Sequence, residues 1–173
     1  YASGKYLTTG TTGSTGTTYS AVSLSVPSFK QTDSRWAYVE VGSSGKTIGS
    51  IGCATTALAM AESYRTGSTI TPSAMEAKLN YTAGGSVYWP SNYRANTGSG
   101  YLQTLYDLLK ARKPAIIGFT NSYGSQHWVV VTGFTGGSTL KASAFTINDP
   151  GAGRSTLQEL INSYPNFYKI MHY

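Results

Sequence analysis

The chain has 173 residues, 40% of them hydrophobic and 12% charged, which is enough for a single domain with a buried core. It contains no run of about 18 apolar residues, so we expect no membrane span. The formal net charge of +6 favours anionic partners such as cell wall or acidic substrates. Because the basic residues are scattered rather than clustered, we expect no nucleic-acid partner.

Cysteine and histidine are scarce in this sequence. One Cys and two His, at positions 53, 127 and 172, exclude a disulfide within the chain and show none of the clustered spacings of a structural zinc site. We therefore expect no metal and no cofactor. Abundant Gly, Ser, Thr and Tyr with few charges are typical of extracellular bacterial proteins. A start at Tyr1 without Met fits a processed form, and we expect a secreted monomer.

The first predicted element is a segment without apolar anchors. Residues 1–20 contain seven Thr and four Gly, which predicts a linker or a loosely attached arm. The folded domain is therefore expected over residues 21–173. Within it, residues 21–26 alternate apolar and polar side chains up to Pro27, as a short edge strand does. Residues 29–36 are interpreted as a polar loop with aromatic anchors.

Three stretches with helical spacing follow. Apolar residues over 53–64 predict a helix that Gly67 ends. Thr71 and Pro72 suit the N-cap and first position of a second helix, which we expect to end by Asn80. Residues 81–100 carry many glycines and aromatics and are interpreted as a loop region. A third helix over 102–110 ends in basic residues that suit the helix dipole, before Pro114.

The hydrophobic period changes after Pro114. Residues 115–119, 127–134 and 144–147 are strand-like runs separated by Gly, Ser and Asn turns. A short helix is predicted over 157–161, with Ser155 or Thr156 as its cap, and residues 167–171 predict a last strand. Helices followed by an antiparallel sheet indicate the α+β class.

Cys53 stands where a glycine-rich turn runs into the first predicted helix. A thiol in the first helical turn faces the positive end of the helix dipole, which favours the thiolate. Gly49 and Gly52 leave the nearby backbone uncluttered, so the Cys53 amide can face a developing oxyanion. Two interpretations stay open: a nucleophile, or a small buried apolar residue, which is the common role of a free cysteine.

His127 and Asp149 stand at predicted strand ends. His127 opens the most apolar strand, where an imidazole at the rim of a sheet can reach a thiol on a packed helix. Asp149 ends the next strand, and an antiparallel neighbour could orient the His127 ring. The alternatives are a structural histidine and a simple Asn-Asp-Pro-Gly turn over 148–151. His172 is interpreted as a surface residue.

A Cys at a helix start, then a strand-initial His, then an Asp or Asn after the following strand is the order found in papain-like cysteine peptidases. Further segments over roughly residues 26–160 strengthen this pattern; they are Val26-Pro27, Gln31-Thr32-Asp33 with Trp36, Thr47-Ile48-Gly49, Gly52-Cys53-Ala54-Thr55-Thr56 with Ala59-Met60, Thr71-Pro72, Pro114-Ala115-Ile116-Ile117, His127-Trp128-Val129-Val130-Val131-Thr132-Gly133 and Asn148-Asp149-Pro150. With these segments the chain resembles the double-glycine leader peptidase-like family, relatives of the peptidase domains that process bacteriocin precursors.

The resemblance implies a papain-like fold, N-terminal helices packed on an antiparallel sheet, and a role for each matched residue. Cys53 would be the nucleophile, His127 the general base and then acid, and Asp149 the group that orients His127. Gln31 would be the side-chain donor of the oxyanion hole, paired with the backbone amide of Cys53. The bacteriocin-processing enzymes are fused to transporters and this chain contains no transporter segment, so we do not extend their double-glycine specificity to it.

The sequence leaves two classes of function open. We expect a secreted thiol hydrolase that cleaves a peptide or isopeptide bond in a peptide or protein substrate, including one associated with the cell wall. Acyl transfer to an amine would use the same residues. The alternative is a catalytically idle or non-enzymatic module on the same fold that binds cell wall or carbohydrate, with an aromatic stacking surface; its residues would be Tyr81, Tyr88, Trp89 and Tyr93.

Overall fold

A computed structural model describes residues 18–173, so most of the predicted arm lies outside the described residues. The last two residues of that segment, Tyr19 and Ser20, contact the folded body. Tyr19 exchanges backbone hydrogen bonds of 2.7 and 3.0 Å with Gly137, and Ser20 accepts one of 3.2 Å at its carbonyl from the Tyr106 hydroxyl. The chain thus joins the edge of the domain before residue 21.

Five α-helices lie in the described chain: α1 (Ile48–Ile51), α2 (Cys53–Thr66), α3 (Pro72–Lys78), α4 (Tyr101–Lys110) and α5 (Leu157–Ser163). Their ends follow the expected signals. Gly67 ends α2 in a left-handed conformation with a φ of 70°, and the Thr71 side chain accepts the Ala74 N–H at the start of α3. Thr156 caps α5. Helix α1 was not predicted. No helix in residues 18–173 is long and apolar enough to cross a bilayer.

The strands are β1 (Val22–Ser23), β2 (Asn80–Tyr81), β3 (Val87–Tyr88), β4 (Arg94–Asn96), β5 (Ala115–Thr120), β6 (Gln126–Phe134), β7 (Phe145–Asn148) and β8 (Asn166–His172). The main sheet has the order β1-β6-β5-β8-β4, with β7 also paired to β6. All its pairings are antiparallel. The fold is therefore α+β, as predicted.

The region over residues 81–100 differs from the predicted loop. Strands β2 and β3 form a separate antiparallel hairpin, and β4 adds to the edge of the main sheet, where Arg94 pairs with His172. These strands are two or three residues long, too short for a hydrophobic period to show in the sequence. Strands β2 and β3 are defined by their pairing with each other, and β4 by its pairing with the distant β8.

The central strand β6 is buried on both faces of the sheet. Val129 and Val131 belong to one apolar cluster together with residues of α4 and α5, whereas Trp128 and Val130 belong to a second cluster together with residues of α2. Strands covered on both faces are continuously apolar, which explains the uninterrupted run after His127. Because α2 packs on this sheet, its N-terminus lies next to the start of β6.

Candidate active site

The position of Cys53 depends on a break between α1 and α2. Gly52 ends α1 and precedes α2 with a φ of −88°. A Cβ atom at Gly52 would lie 2.6 Å from the carbonyl oxygen of Ile48, so only glycine lets the two helices follow each other this closely. Cys53 therefore becomes the first residue of α2, and its half-buried side chain lines a cavity of about 910 Å³.

His127 lies near the start of β6, opposite Phe119 of β5. Its side chain is buried, with 8% of the residue exposed. The ring of Tyr164, just after α5, stacks on the imidazole with ring centroids 5.4 Å apart and an interplanar angle of 28°. The sheet and Tyr164 together fix the ring at the wall of the cavity that Cys53 also lines.

Asp149 follows β7 directly and is 1% exposed. Antiparallel pairing of β6 with β7 places Asn148 opposite Val130, so the next residue comes beside the start of β6. The carboxylate oxygen Oδ1 lies 2.7 Å from Nε2 of His127. It also accepts the backbone N–H groups of Gly151 and Ala152, at 2.7 and 3.1 Å. The sequence-based pairing of Asp149 with His127 agrees with this geometry.

The second carboxylate oxygen of Asp149 has its own cationic partner. Nη1 of Arg154 lies 3.0 Å from Oδ2. The Arg154 guanidinium also lies 5.6 Å from the centre of the Tyr164 ring, which is the ring that stacks on His127. A closed ring of contacts therefore links four residues, which are His127, Asp149, Arg154 and Tyr164.

The buried contacts change the ionisation of both members of the pair. Burial by itself lowers the pKa of His127, but the hydrogen bond with Asp149 and the proximity of Cys53 outweigh it and raise the pKa to about 9. Burial by itself raises the pKa of Asp149, but His127, the Gly151 N–H and Arg154 together lower it to about 2. At neutral pH the site thus holds an imidazolium beside an ionised carboxylate.

Cys53 lines the same cavity as His127. It is among the groups that raise the pKa of His127, so the sulfur lies near the imidazole. Because Asp149 occupies Nε2, Nδ1 is the nitrogen left for the sulfur. The structure therefore brings the three residues that the sequence singled out into one region of the cleft.

Gln31 lies in the same cavity wall and is 7% exposed. Its side-chain Nε2 donates to the carbonyl oxygens of Ile48 and Gly49, at 3.3 and 3.2 Å. Its backbone N–H donates to the Pro150 carbonyl at 2.9 Å. Gln31 is therefore held between helix α1 and the loop that carries Asp149.

Sequence reasoning did not identify the residues that support this site. Nζ of Lys30 donates to the carbonyl oxygens of Asp149 and Ala152, which ties the Gln31 segment to the Asp149 loop. Gly151 lies against the imidazole, since a Cβ there would be 2.9 Å from Cε1 of His127. An aromatic residue after a helix, here Tyr164, and a lone basic residue, here Lys30, carry no sequence signal for such contacts.

Two of the four aromatics proposed as a stacking surface line the cavity, namely Tyr81 and Trp89. Tyr88 is 60% exposed outside it, and Tyr93 is buried, with its hydroxyl donating to Glu62 at 2.9 Å. The four do not form one surface. In residues 18–173, no group of three or more His, Cys, Asp or Glu side chains could hold a metal ion.

Comparison with protein families gives one match. The sequence matches the Peptidase_C39 like family over residues 23–173, which spans every residue of the site described above. Comparisons with curated proteins and with solved structures give no match. The match covers most of the chain and agrees with both the α+β architecture and the segments that suggested the resemblance. The chain belongs to the Peptidase_C39 like family, a family of cysteine peptidases with a papain-like fold.

Proposed function

We propose that the protein is an active cysteine peptidase that hydrolyses a peptide or isopeptide bond, with Cys53 as nucleophile, His127 as general base and acid, and Asp149 as the group that orients His127. The observation that carries the proposal is the hydrogen bond of His127 with Asp149 in the wall of the cavity that Cys53 also lines, where Cys53 helps to raise the pKa of His127. All three lie at or beneath one cavity wall.

The charge state of this arrangement suits thiol chemistry. An imidazolium beside the sulfur stabilises a thiolate, which is the reactive form of cysteine. The thiolate attacks the carbonyl carbon of the substrate, a C–S bond forms, and the electron pair of the C=O bond moves to oxygen. His127 then gives its proton to the nitrogen as the C–N bond breaks, leaving a thioester. Water, deprotonated by His127, attacks the thioester and releases Cys53.

The tetrahedral oxyanion requires hydrogen-bond donors. As the first residue of α2, Cys53 has a backbone N–H without an acceptor inside the helix, so this group can serve. The Gln31 amide nitrogen carries two hydrogens, and its two long hydrogen bonds to the adjacent carbonyls of Ile48 and Gly49 can share one of them. The other hydrogen is then available to the oxyanion.

Alkylation of Cys53 by iodoacetamide tests the proposed ion pair without knowledge of the substrate. We expect the wild-type protein to react at pH 6 at least about tenfold faster than a simple thiol, because a neighbouring imidazolium increases the reactivity of a cysteine sulfur. His127→Ala should reduce this rate to that of the simple thiol. Mass spectrometry of the labelled protein gives both rates.

The second histidine provides the matched control. His172 lies on β8, and it is not among the residues that line the cavity. His172→Ala should leave the alkylation rate of Cys53 at pH 6 unchanged. A wild-type rate at pH 6 equal to that of a simple thiol would contradict the ion pair, and with it the proposed peptidase.

We also propose that the protein acts outside the cell. The support is compositional: charged residues make up 12% of the chain, and the net charge of +6 suits an anionic cell envelope. Fractionation of the source culture tests the location. Recovery of the protein in the medium or cell-wall fraction is expected, and recovery with the cytoplasm would contradict the proposal.

A further inference from the structure

A row of paired residues crosses the sheet at the floor of the cavity. Trp128 of β6 pairs with Gly118 of β5, and Gly118 pairs in turn with Lys169 of β8. A Cβ at Gly118 would lie 2.7 Å from two carbons of the Trp128 ring, so the indole lies over this glycine. Directly paired residues project from the same face of a sheet. Trp128 and Lys169 therefore lie on either side of Gly118 on the same face of the sheet, and both line the cavity.

Aromatic rings form a continuous strip along this floor. Trp89 contacts Trp128 with ring centroids 4.9 Å apart, and Trp128 contacts Tyr168 at 5.8 Å. The ammonium of Lys169 lies 4.6 Å from the centre of the Tyr168 ring. We call these residues, Trp89, Trp128 and Tyr168, the aromatic strip. The strip ends at a positive charge.

No carboxylate of the described chain neutralises that charge. The seven acidic residues of the sequence all lie within residues 18–173, and none is within 4.0 Å of Lys169. Each has a hydrogen-bond donor elsewhere; they are Asp33, Glu40, Glu62, Glu76, Asp107, Asp149 and Glu159. Asp149, which adjoins the cavity, is buried against His127 and Arg154, and Glu76, which helps to raise the pKa of the lining residue Tyr81, accepts the Gly42 N–H.

The cavity wall carries more positive than negative charge. Lys169, Arg154 and protonated His127 contribute cations, and no Asp or Glu is among the lining residues. The proposed Cys53 thiolate and the Asp149 carboxylate are paired with His127 and Arg154, so Lys169 is the cation that these anions leave unpaired. A cleft with an excess of one sign of charge raises the local concentration of ligands of the opposite sign, and an ammonium in such a cleft forms a charge-assisted hydrogen bond with a carboxylate.

We propose that this cleft selects acidic peptides, with a substrate carboxylate bound by Lys169 and the adjoining apolar part of the substrate resting on the aromatic strip. This names the substrate class of the proposed peptidase and so rests on that function. The carboxylate replaces the acidic partner that Lys169 lacks within the described chain, while the Tyr168 ring, 4.6 Å from the ammonium, covers it on one side.

Paired alkylating reagents that differ only in charge test this selection. Iodoacetate and N-iodoacetylglycine each carry a carboxylate, and iodoacetamide and N-iodoacetylglycinamide are their neutral counterparts. With each, the sulfur of Cys53 displaces iodide and forms a C–S bond. We measure the rate ratio of the acid to its amide, divided by the same ratio for 2-mercaptoethanol. For the wild-type protein we expect a normalised ratio above one for at least one pair.

Removal of the Lys169 charge should lower this ratio. Lys169→Gln is expected to reduce it about two- to fivefold, and Lys169→Glu further, since Coulomb interactions at the rim of a protein site are of this size. The effect should shrink in about 0.5 M salt, because salt screens the interaction between the two charges. Lys141→Gln is the matched control, because Lys141 is exposed, lies outside the cavity and changes the net charge equally.

The two proposals fail in different ways. Equal ratios for Lys169→Gln and Lys141→Gln, or a wild-type ratio at or below one for both pairs, would overturn the acidic substrate class. A slow absolute rate of iodoacetamide at pH 6 would instead overturn the ion pair of Cys53 with His127. The ratio can be measured whether the absolute alkylation rate is fast or slow. The acidic substrate class is therefore tested independently of the ion pair.

Discussion

The two sides of the cleft are built by different means. On the helix side, Cys53 is positioned by the shape of the backbone: Gly52 allows α1 and α2 to follow each other at a distance that no side chain would permit. On the sheet side, the His127 ring is positioned by polar contacts. Asp149 joins it to two backbone N–H groups and to Arg154.

This difference shows how each side can be disturbed. A rigid backbone fixes the sulfur whatever the pH, so the helix side should respond to changes in volume. A buried network of charges depends on the ionisation of its members, so the sheet side should respond to changes in charge and pH. Substitutions that change volume on the helix side, and substitutions or pH changes that alter charge on the sheet side, distinguish the two mechanisms.

The largest effect is expected from Gly52→Ala on the helix side. The new methyl group would lie 2.6 Å from a backbone oxygen, so α1 or the start of α2 must shift. Overpacking of this kind costs about 1–3 kcal/mol of unfolding free energy. Because Cys53 is the next residue, its alkylation rate at pH 6 should fall as well. Urea unfolding and the iodoacetamide assay measure the two effects.

Gly100→Ala is the control for this substitution. Gly100 also precedes a helix, with a φ of −81° against −88° for Gly52, but nothing lies within 4 Å of a Cβ built on it. Each variant replaces a glycine at the N-cap of a helix, but only Gly52→Ala introduces a steric clash. If the two unfold at the same urea concentration, the backbone explanation for the position of Cys53 is wrong.

A smaller effect is expected from Arg154→Gln on the sheet side. The carboxylate of Asp149 is fully buried, so removal of its cationic partner leaves Oδ2 without that partner in a place water does not reach. Arg154 is one of the groups that lower the pKa of Asp149, and its loss should raise that pKa. The midpoint of acid unfolding should therefore move to higher pH.

Arg35→Gln tests whether the shift in acid unfolding expected for Arg154→Gln depends on the burial of the ion pair. Arg35 and Asp33 form an ion pair of similar length, 2.8 Å against 3.0 Å, but Arg35 is 72% exposed. Exposed pairs contribute little to stability, so this variant should unfold in acid at the wild-type pH. Equal shifts for the two variants would show that the Asp149 network has no special role.

The sequence predicted the parts of the fold that carry a long hydrophobic period. Helices α2 and α4 and strands β5, β6, β7 and β8 lie close to their predicted bounds. Helix α1 has four residues and the strands between α3 and α4 have two or three, so tertiary contacts rather than local preference define them. The papain-like architecture followed from the resemblance and not from these periods.

The site was also predictable only in part, because some of its contacts join residues that are distant in the sequence. Cys53, His127 and Asp149 stand at element boundaries that sequence signals mark, and their meeting follows from strand pairing. The Lys30 contact joins residues 119 positions apart, and no local pattern indicates it. The catalytic roles of all four predicted residues, Gln31 included, stay predictions, and the alkylation experiments above address those of Cys53 and His127.

The last expected effect is the pH dependence of stability that His127 contributes. The pKa of His127 is about 9 in the folded protein, against 6.5 for an ordinary histidine. A raised pKa means that the folded state binds the proton more tightly, so this contribution to stability is fully present below about pH 6.5 and is lost as the pH rises through about 9. The urea midpoint of the wild-type protein should fall between pH 6 and pH 10 by more than that of His127→Gln, which lacks the titrating ring. Parallel declines in the two proteins would show that the imidazolium does not stabilise the sheet side of the cleft, and the contrast with the pH-independent backbone of the helix side would then be lost.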